Sequence, residues 1–140
     1  MSSPTVTAGQ ETKLGAADLA TISGCTNESR YTLVIHDDGS ASGNAGAIGC
    51  DSMRLLQFPP GTIDTKTLLF LLAEIGDVSR IPAKACPETF TLGKPTTEIS
   101  YAGKTSGDLQ HIEKGGDQEL LRASEELARF VQMTVNHLML

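Results

Sequence analysis

The sequence predicts an α+β fold: a small antiparallel or mixed sheet with two helices packed mainly on one face. Three observations carry this expectation. Strand-like segments come in runs instead of alternating one for one with helices, which argues against a parallel α/β sheet. Only two segments keep a helical period, one with a broad apolar surface and one with a single apolar stripe. Clusters of Gly, Pro, Asn and Ser punctuate the short alternating stretches, as turns between strands do.

Residues 1–13 read as a flexible N-terminal arm, and residues 14–140 as one α+β domain. Asp18 to Ser23 has weak strand character and ends at Gly24-Cys25, with "TNES" as a turn. Tyr31 to His36 alternates, with Tyr31, Leu33 and Ile35 on one side and Thr32, Val34 and His36 on the other. "DDGSASGNAGAIG" follows, full of small-residue breakers, with Asp37-Asp38-Gly39-Ser40 as the turn that ends the strand. "SMRLLQF" reads as another short strand, closed by Pro59-Pro60-Gly61, since a proline pair has no ladder donors to offer.

"TKTLLFLLAEI" predicts a helix with Asp64 as N-cap and Gly76 as the terminating residue. Leu68, Leu71, Leu72 and Ile75 share one side, and Leu69 and Ala73 widen it. So broad an apolar surface predicts a largely buried helix laid across a sheet. "TFTL", "GKPT" and "TEISYAG" read as a hairpin, in which Phe90, Leu92, Ile99 and Tyr101 alternate with polar neighbours. "KTSGDLQHIEKGG" reads as a polar connection. In the last helix Asp117 is the expected N-cap, and Leu120, Leu127, Val131, Val135 and Leu138 form one stripe. Glu125 and Arg129 are placed for an i,i+4 ion pair.

Charge and composition exclude several function classes. The 140-residue chain carries a formal net charge of -6 at pH 7, and its basic residues are scattered. Nucleic-acid binding needs a basic footprint or a stacking platform, and the aromatic residues are not interleaved with basic ones. No apolar run approaches the roughly 20 residues that span a bilayer, so no transmembrane segment is expected. The N-terminus lacks the basic-then-apolar order of a signal peptide. "MSSPTVTAGQET" suits the start of a mature secreted domain, which favours an extracytoplasmic location over a cytoplasmic one.

The motifs that carry chemistry are incomplete. Ala102 to Ser106, "AGKTS", ends like a phosphate-binding loop, but Glu98 stands where that motif needs its first Gly. Gly39 to Gly43 places Ala41 where a nucleophile elbow needs Ser. His36, Asp37 and Asp38, with Asp51 downstream, are potential metal ligands, yet turn chemistry accounts for each of them. Cys25, Cys50 and Cys86 allow one disulfide at most, with three possible pairings. A zinc site would draw Cys25, Cys50, Cys86, His36 and His111 from separate segments, without the paired spacing of structural zinc. Asp108, His111 and Glu113 form a compact polar group that reads as solvated connection. Phe130, Met133 and His137 lie off the main stripe of the last helix, against a neighbouring loop or as a partner surface.

No cofactor is implied. The expectation is a small non-enzymatic module that binds another protein, self-associates through the C-terminal helix or serves as an extracytoplasmic accessory domain. The alternative is a small enzyme or metal-binding protein whose site is assembled from distant Cys, His and Asp residues.

Overall fold

The computed structural model describes residues 17–25, 29–47, 53–83 and 96–139. Strands β1 (Asp18–Cys25), β2 (Ser29–His36), β3 (Ala41–Ala47) and β4 (Arg54–Phe58) form an antiparallel meander. Helix α1 (Thr65–Ile75) and a 3-10 turn (Val78–Arg80) come next, followed by β5 (Thr96–Tyr101), β6 (Lys104–Thr105) and helix α2 (Gln118–Met139). The six strands make one sheet in the order β4-β3-β2-β1-β5-β6. The α+β architecture is therefore a six-strand antiparallel sheet with two helices on one of its faces.

The chain order dictates where α1 lies. β5 pairs with β1, on the far side of the meander from β4. Four strand spacings separate β4 from β5, about 19 Å of sheet to cross. The 11 residues of α1 are about 16 Å long and lie within this connection. Its start is set by Asp64, whose carboxylate accepts from the Thr67 N–H at 3.1 Å and the Thr67 hydroxyl at 2.7 Å. Its end is set by Gly76 at φ 81, whose N–H returns to the Leu72 carbonyl at 2.8 Å.

One face of the sheet meets both helices in a single core. Ile99, Ile22, Leu33 and Leu56 lie in one row across the strands and are buried. Leu68, Leu72 and Ile75 of α1 and Leu127 and Val131 of α2 pack in the same cluster. A fully buried side chain of this size contributes roughly 1.5–3 kcal/mol. Leu120 and Leu138, at the borders of the α2 stripe, are only partly buried. Asp117 caps α2, accepting from the Glu119 N–H at 3.0 Å and the Leu120 N–H at 3.2 Å.

Three expectations need correction. The small-residue segment Ala41–Ala47 is a fully paired strand, bonded to β2 and β4, and not a break in the sheet. Neighbours on both sides fix its backbone, and tertiary pairing overrides weak strand propensity. Glycine is required at one of its positions: a Cβ on Gly43 would stand 1.9 Å from the Thr32 carbonyl oxygen. Second, α1 buries only Leu68, Leu71, Leu72 and Ile75, while Leu69 is 41% and Phe70 63% exposed. A helix lying on a sheet hides one stripe, whatever the composition of the rest. Third, Glu125 pairs with Lys114, and Arg122 pairs with Glu126 at 3.3 Å. The first part of the expected second hairpin, with Phe90 and Leu92, lies outside the described residues. Its second strand is β5, which turns instead into β6 through Ala102 at φ 54 and Gly103 at φ 80. Two successive left-handed residues make the tight hairpin turn that twisted strands prefer, so "AGKTS" is a hairpin tip.

Packing at two positions has measurable consequences. Gly43→Ala is expected to lower the unfolding free energy by about 1–3 kcal/mol, since the new methyl must displace backbone. The Ser124 hydroxyl is buried in α2 with no hydrogen-bond partner among the described residues. Ser124→Ala should therefore raise stability by about 1 kcal/mol. Urea unfolding followed by circular dichroism checks both signs.

Acid sensitivity follows from three turn and cap carboxylates. The Ser40 hydroxyl, then its N–H, holds Asp38 below the usual carboxylate value of 3.8. The Thr67 and Ser79 hydroxyls and N–H groups do the same for Asp64 and Asp77. Each folded-state value is depressed, so the stabilisation is present above 3.8 and is lost as pH falls through the lower folded values. The urea midpoint should drop in that acid window. The drop should be shallower in the triple variant Ser40→Ala, Thr67→Ala, Ser79→Ala; an equal drop would assign the acid sensitivity to other carboxylates.

Candidate functional site on the second face of the sheet

Among the described residues, neither helix covers the second face of the sheet. Its side chains are small and rich in hydroxyls and amides. One row runs Thr105, Ser100, Thr21, Val34, Ser42, Gln57, and the next runs Glu98, Ser23, Thr32, Asn44, Leu55. Strand alternation explains the composition, since each of these residues has core-facing neighbours along its strand. Leu55 breaks the pattern. It is 72% exposed on β4, beside Met53 at 49%.

His36 sits on this face at the end of β2 and is held from two sides. Its Nδ1 lies 3.0 Å from Asp18 Oδ1, and its Nε2 lies 3.1 Å from Ser42 Oγ. Strict alternation would send Asp18 to the core face with Ala20 and Ile22. A register shift between Asp18 and Ala20 prevents this and sets Asp18 opposite His36. Leu19 packs partly buried against the core instead. Bulges of this kind re-aim a side chain at the end of a strand. Ser42 pairs with Val34, two residues before His36 on β2, which makes it a diagonal neighbour of the imidazole.

The turn after His36 is tied down on its far side. Asp37 accepts from the Ala17 N–H at 3.2 Å, and Asp38 accepts from the Ser40 N–H at 2.9 Å. The Gly39 carbonyl accepts from Ile63 N–H at 2.9 Å, and the Asp38 carbonyl from Gly61 N–H at 3.1 Å. Gly39 has φ 86, and a Cβ there would lie 2.8 Å from the Ile63 carbonyl oxygen. Asp37 and Asp38 thus serve the turn. Asp18 and Ser42, which no local sequence signal ties to His36, are its partners.

A second carboxylate–histidine pair lies after β6. Asp108 is 6% exposed and accepts from the Thr97 and Gln110 N–H groups, both at 3.0 Å. Its other oxygen lies 2.7 Å from His111 Nδ1, and the His111 side chain is 64% exposed. The Gln110 amide donates to Thr97 Oγ1 at 2.9 Å, which is 3.4 Å from the Tyr31 hydroxyl. Asp108 is therefore a buried organiser that fastens the segment after β6 to β5, not solvated connection. The Gln110 N–H bond is a local turn, but the Thr97 N–H comes from β5, 11 residues away, and leaves no signature in sequence.

Cys25 ends β1, while Cys50, Asp51 and Cys86 lie outside the described residues. Among the described residues, no three His, Cys, Asp or Glu side chains are grouped to hold a metal ion. Phe130 packs partly buried against the core, whereas Met133 is 65% exposed and His137 is exposed. Among the described residues, no helix is long and apolar enough to cross a membrane. No protein-family model, curated protein or solved structure matches the chain.

Proposed function

We propose that the chain is a protein-binding module that accepts an extended segment of another protein along β4. The observation that carries this reading is the edge itself. β4 ends the sheet, nothing described pairs with its outer side, and Leu55 is 72% exposed on it. Proteins usually blunt such an edge by shortening or charging it, and the opposite edge, β6, has only two residues. β4 has five, with Arg54 as its one charge. An added strand would gain main-chain hydrogen bonds from the edge and specificity from alternate side chains. The fitting segment alternates, with an apolar residue against Leu55 and an acidic residue against Arg54, since opposite charges across a strand pair are favourable.

Panning a displayed random-peptide library against the whole protein tests this. Enriched peptides should show that alternation, and their binding should fall at least tenfold in Leu55→Lys, a loss of about 1.4 kcal/mol. Met133→Glu should leave binding unchanged. Peptides indifferent to Leu55→Lys would overturn the reading, as would a dimer in light scattering that this substitution dissolves, since a second copy would then occupy the edge.

Self-association through α2 is the second reading, favoured by the 65% exposure of Met133 beside exposed His137. It predicts a dimer mass in light scattering that Met133→Glu lowers; a monomer at high concentration sinks it.

A further inference from the structure

We propose that Asp18, His36 and Ser42 form an acyl-transfer relay, with Ser42 as nucleophile toward small activated esters. The three side chains come from adjacent strands and make one hydrogen-bonded line: carboxylate to Nδ1 at 3.0 Å, Nε2 to hydroxyl at 3.1 Å. The chemistry of the donors sets its direction. An ionised carboxylate only accepts, so Nδ1 carries the proton and donates to Asp18. In the neutral imidazole Nε2 then holds the lone pair and accepts from the Ser42 hydroxyl. This is the polarity that a serine nucleophile needs from its general base. It differs from a hydrogen bond in which serine serves only as acceptor. The His36 side chain is 21% exposed, so the imidazole is sheltered yet reachable from the open face.

The neighbours supply what the reaction also needs. Gln57 is the cross-strand partner of Ser42 on β4, and Asn44 lies two residues along β3 on the same face. Side-chain amides of these types can donate to a developing oxyanion. Val34 and Leu55 pair with Ser42 and Asn44 respectively, and they offer apolar contact to an acyl or leaving group. The Ser42 oxygen attacks the ester carbonyl carbon, and its proton passes to His36 Nε2. The tetrahedral oxyanion accepts from the amide of Gln57 or Asn44. Its collapse breaks the ester C–O bond, and the leaving oxygen takes the proton from Nε2. Water then repeats the sequence on the acyl-serine, releasing the carboxylic acid and restoring Ser42. Asp18 is a positioning residue: its carboxylate, 76% exposed, holds the tautomer through the hydrogen bond to Nδ1.

The test uses the whole protein with p-nitrophenyl acetate, together with a fluorophosphonate probe located by mass spectrometry. The probe should label Ser42, and Ser42→Ala should abolish the label. Ser42→Ala and His36→Gln should each lower kcat/KM by about 100-fold, the low end of general-base effects. Asp18→Asn should lower kcat with KM unchanged, and Asp18→Glu should restore part of it, whereas a merely structural role would be indifferent to that exchange. Circular dichroism confirms that the variants fold. Absence of labelling at Ser42 in folded wild type, or hydrolysis unchanged in Ser42→Ala, overturns the proposal. Peptide binding along β4 reads out separately, because Ser42→Ala leaves Leu55 and Arg54 in place.

Discussion

One-sided burial of an antiparallel sheet is the constraint on which the rest of this structure depends. Ile22, Leu33 and Ile99 lie in register across three neighbouring strands, all fully buried, and both helices close on the side to which they point. Because side chains alternate with period two, burying that face commits every intervening residue to the other one. The hydroxyl-rich second face is therefore a consequence of the core and needs no separate cause. So is the path of α1, since a chain that leaves at β4 and must re-enter beside β1 crosses on the side where its leucines can be buried.

Among the described residues, the bulge at the start of β1 is the one register shift in the sheet. It occurs where it disturbs least. β5 pairs with β1 only from Ala20 onward, so Asp18 has a single strand neighbour, β2. A shift there breaks no second ladder. It exchanges an acidic side chain for Leu19 on the core side, which the core favours. The same exchange delivers a carboxylate to His36. Stability and the polar line across β1, β2 and β3 are thus served by one backbone irregularity.

The second face and the β4 edge divide between two kinds of chemistry. The polar line crosses β1, β2 and β3 on the open face of the sheet, and side chains alone make it. At β4 the backbone itself is available on the outer side, and the exposed leucine adds apolar contact. Gln57 and Leu55 stand on β4 but face the same way as Ser42 and Asn44, so the two regions adjoin.

Much of this was legible in the residues. Alternation from Tyr31 to His36 identified β2 and its core side, Asp64 and Gly76 bounded α1, and Asp117 with the following stripe identified α2. These signals are local: a cap, a turn or a period is complete within a few residues. β3 was not legible, because Ala, Ser, Gly and Asn have no strand preference of their own and take their conformation from β2 and β4. Nor was the buried role of Asp108, whose partner Thr97 N–H comes from another strand. The line Asp18–His36–Ser42 was hidden for the same reason, compounded by a bulge that reverses the parity from which a face is inferred. By itself the sequence determined β2, the two helices and the caps that bound them, since these follow from short-range sterics and hydrophobic period. Only the tertiary structure decided which polar residues meet, because strand order and register bring together side chains that no spacing along the chain relates.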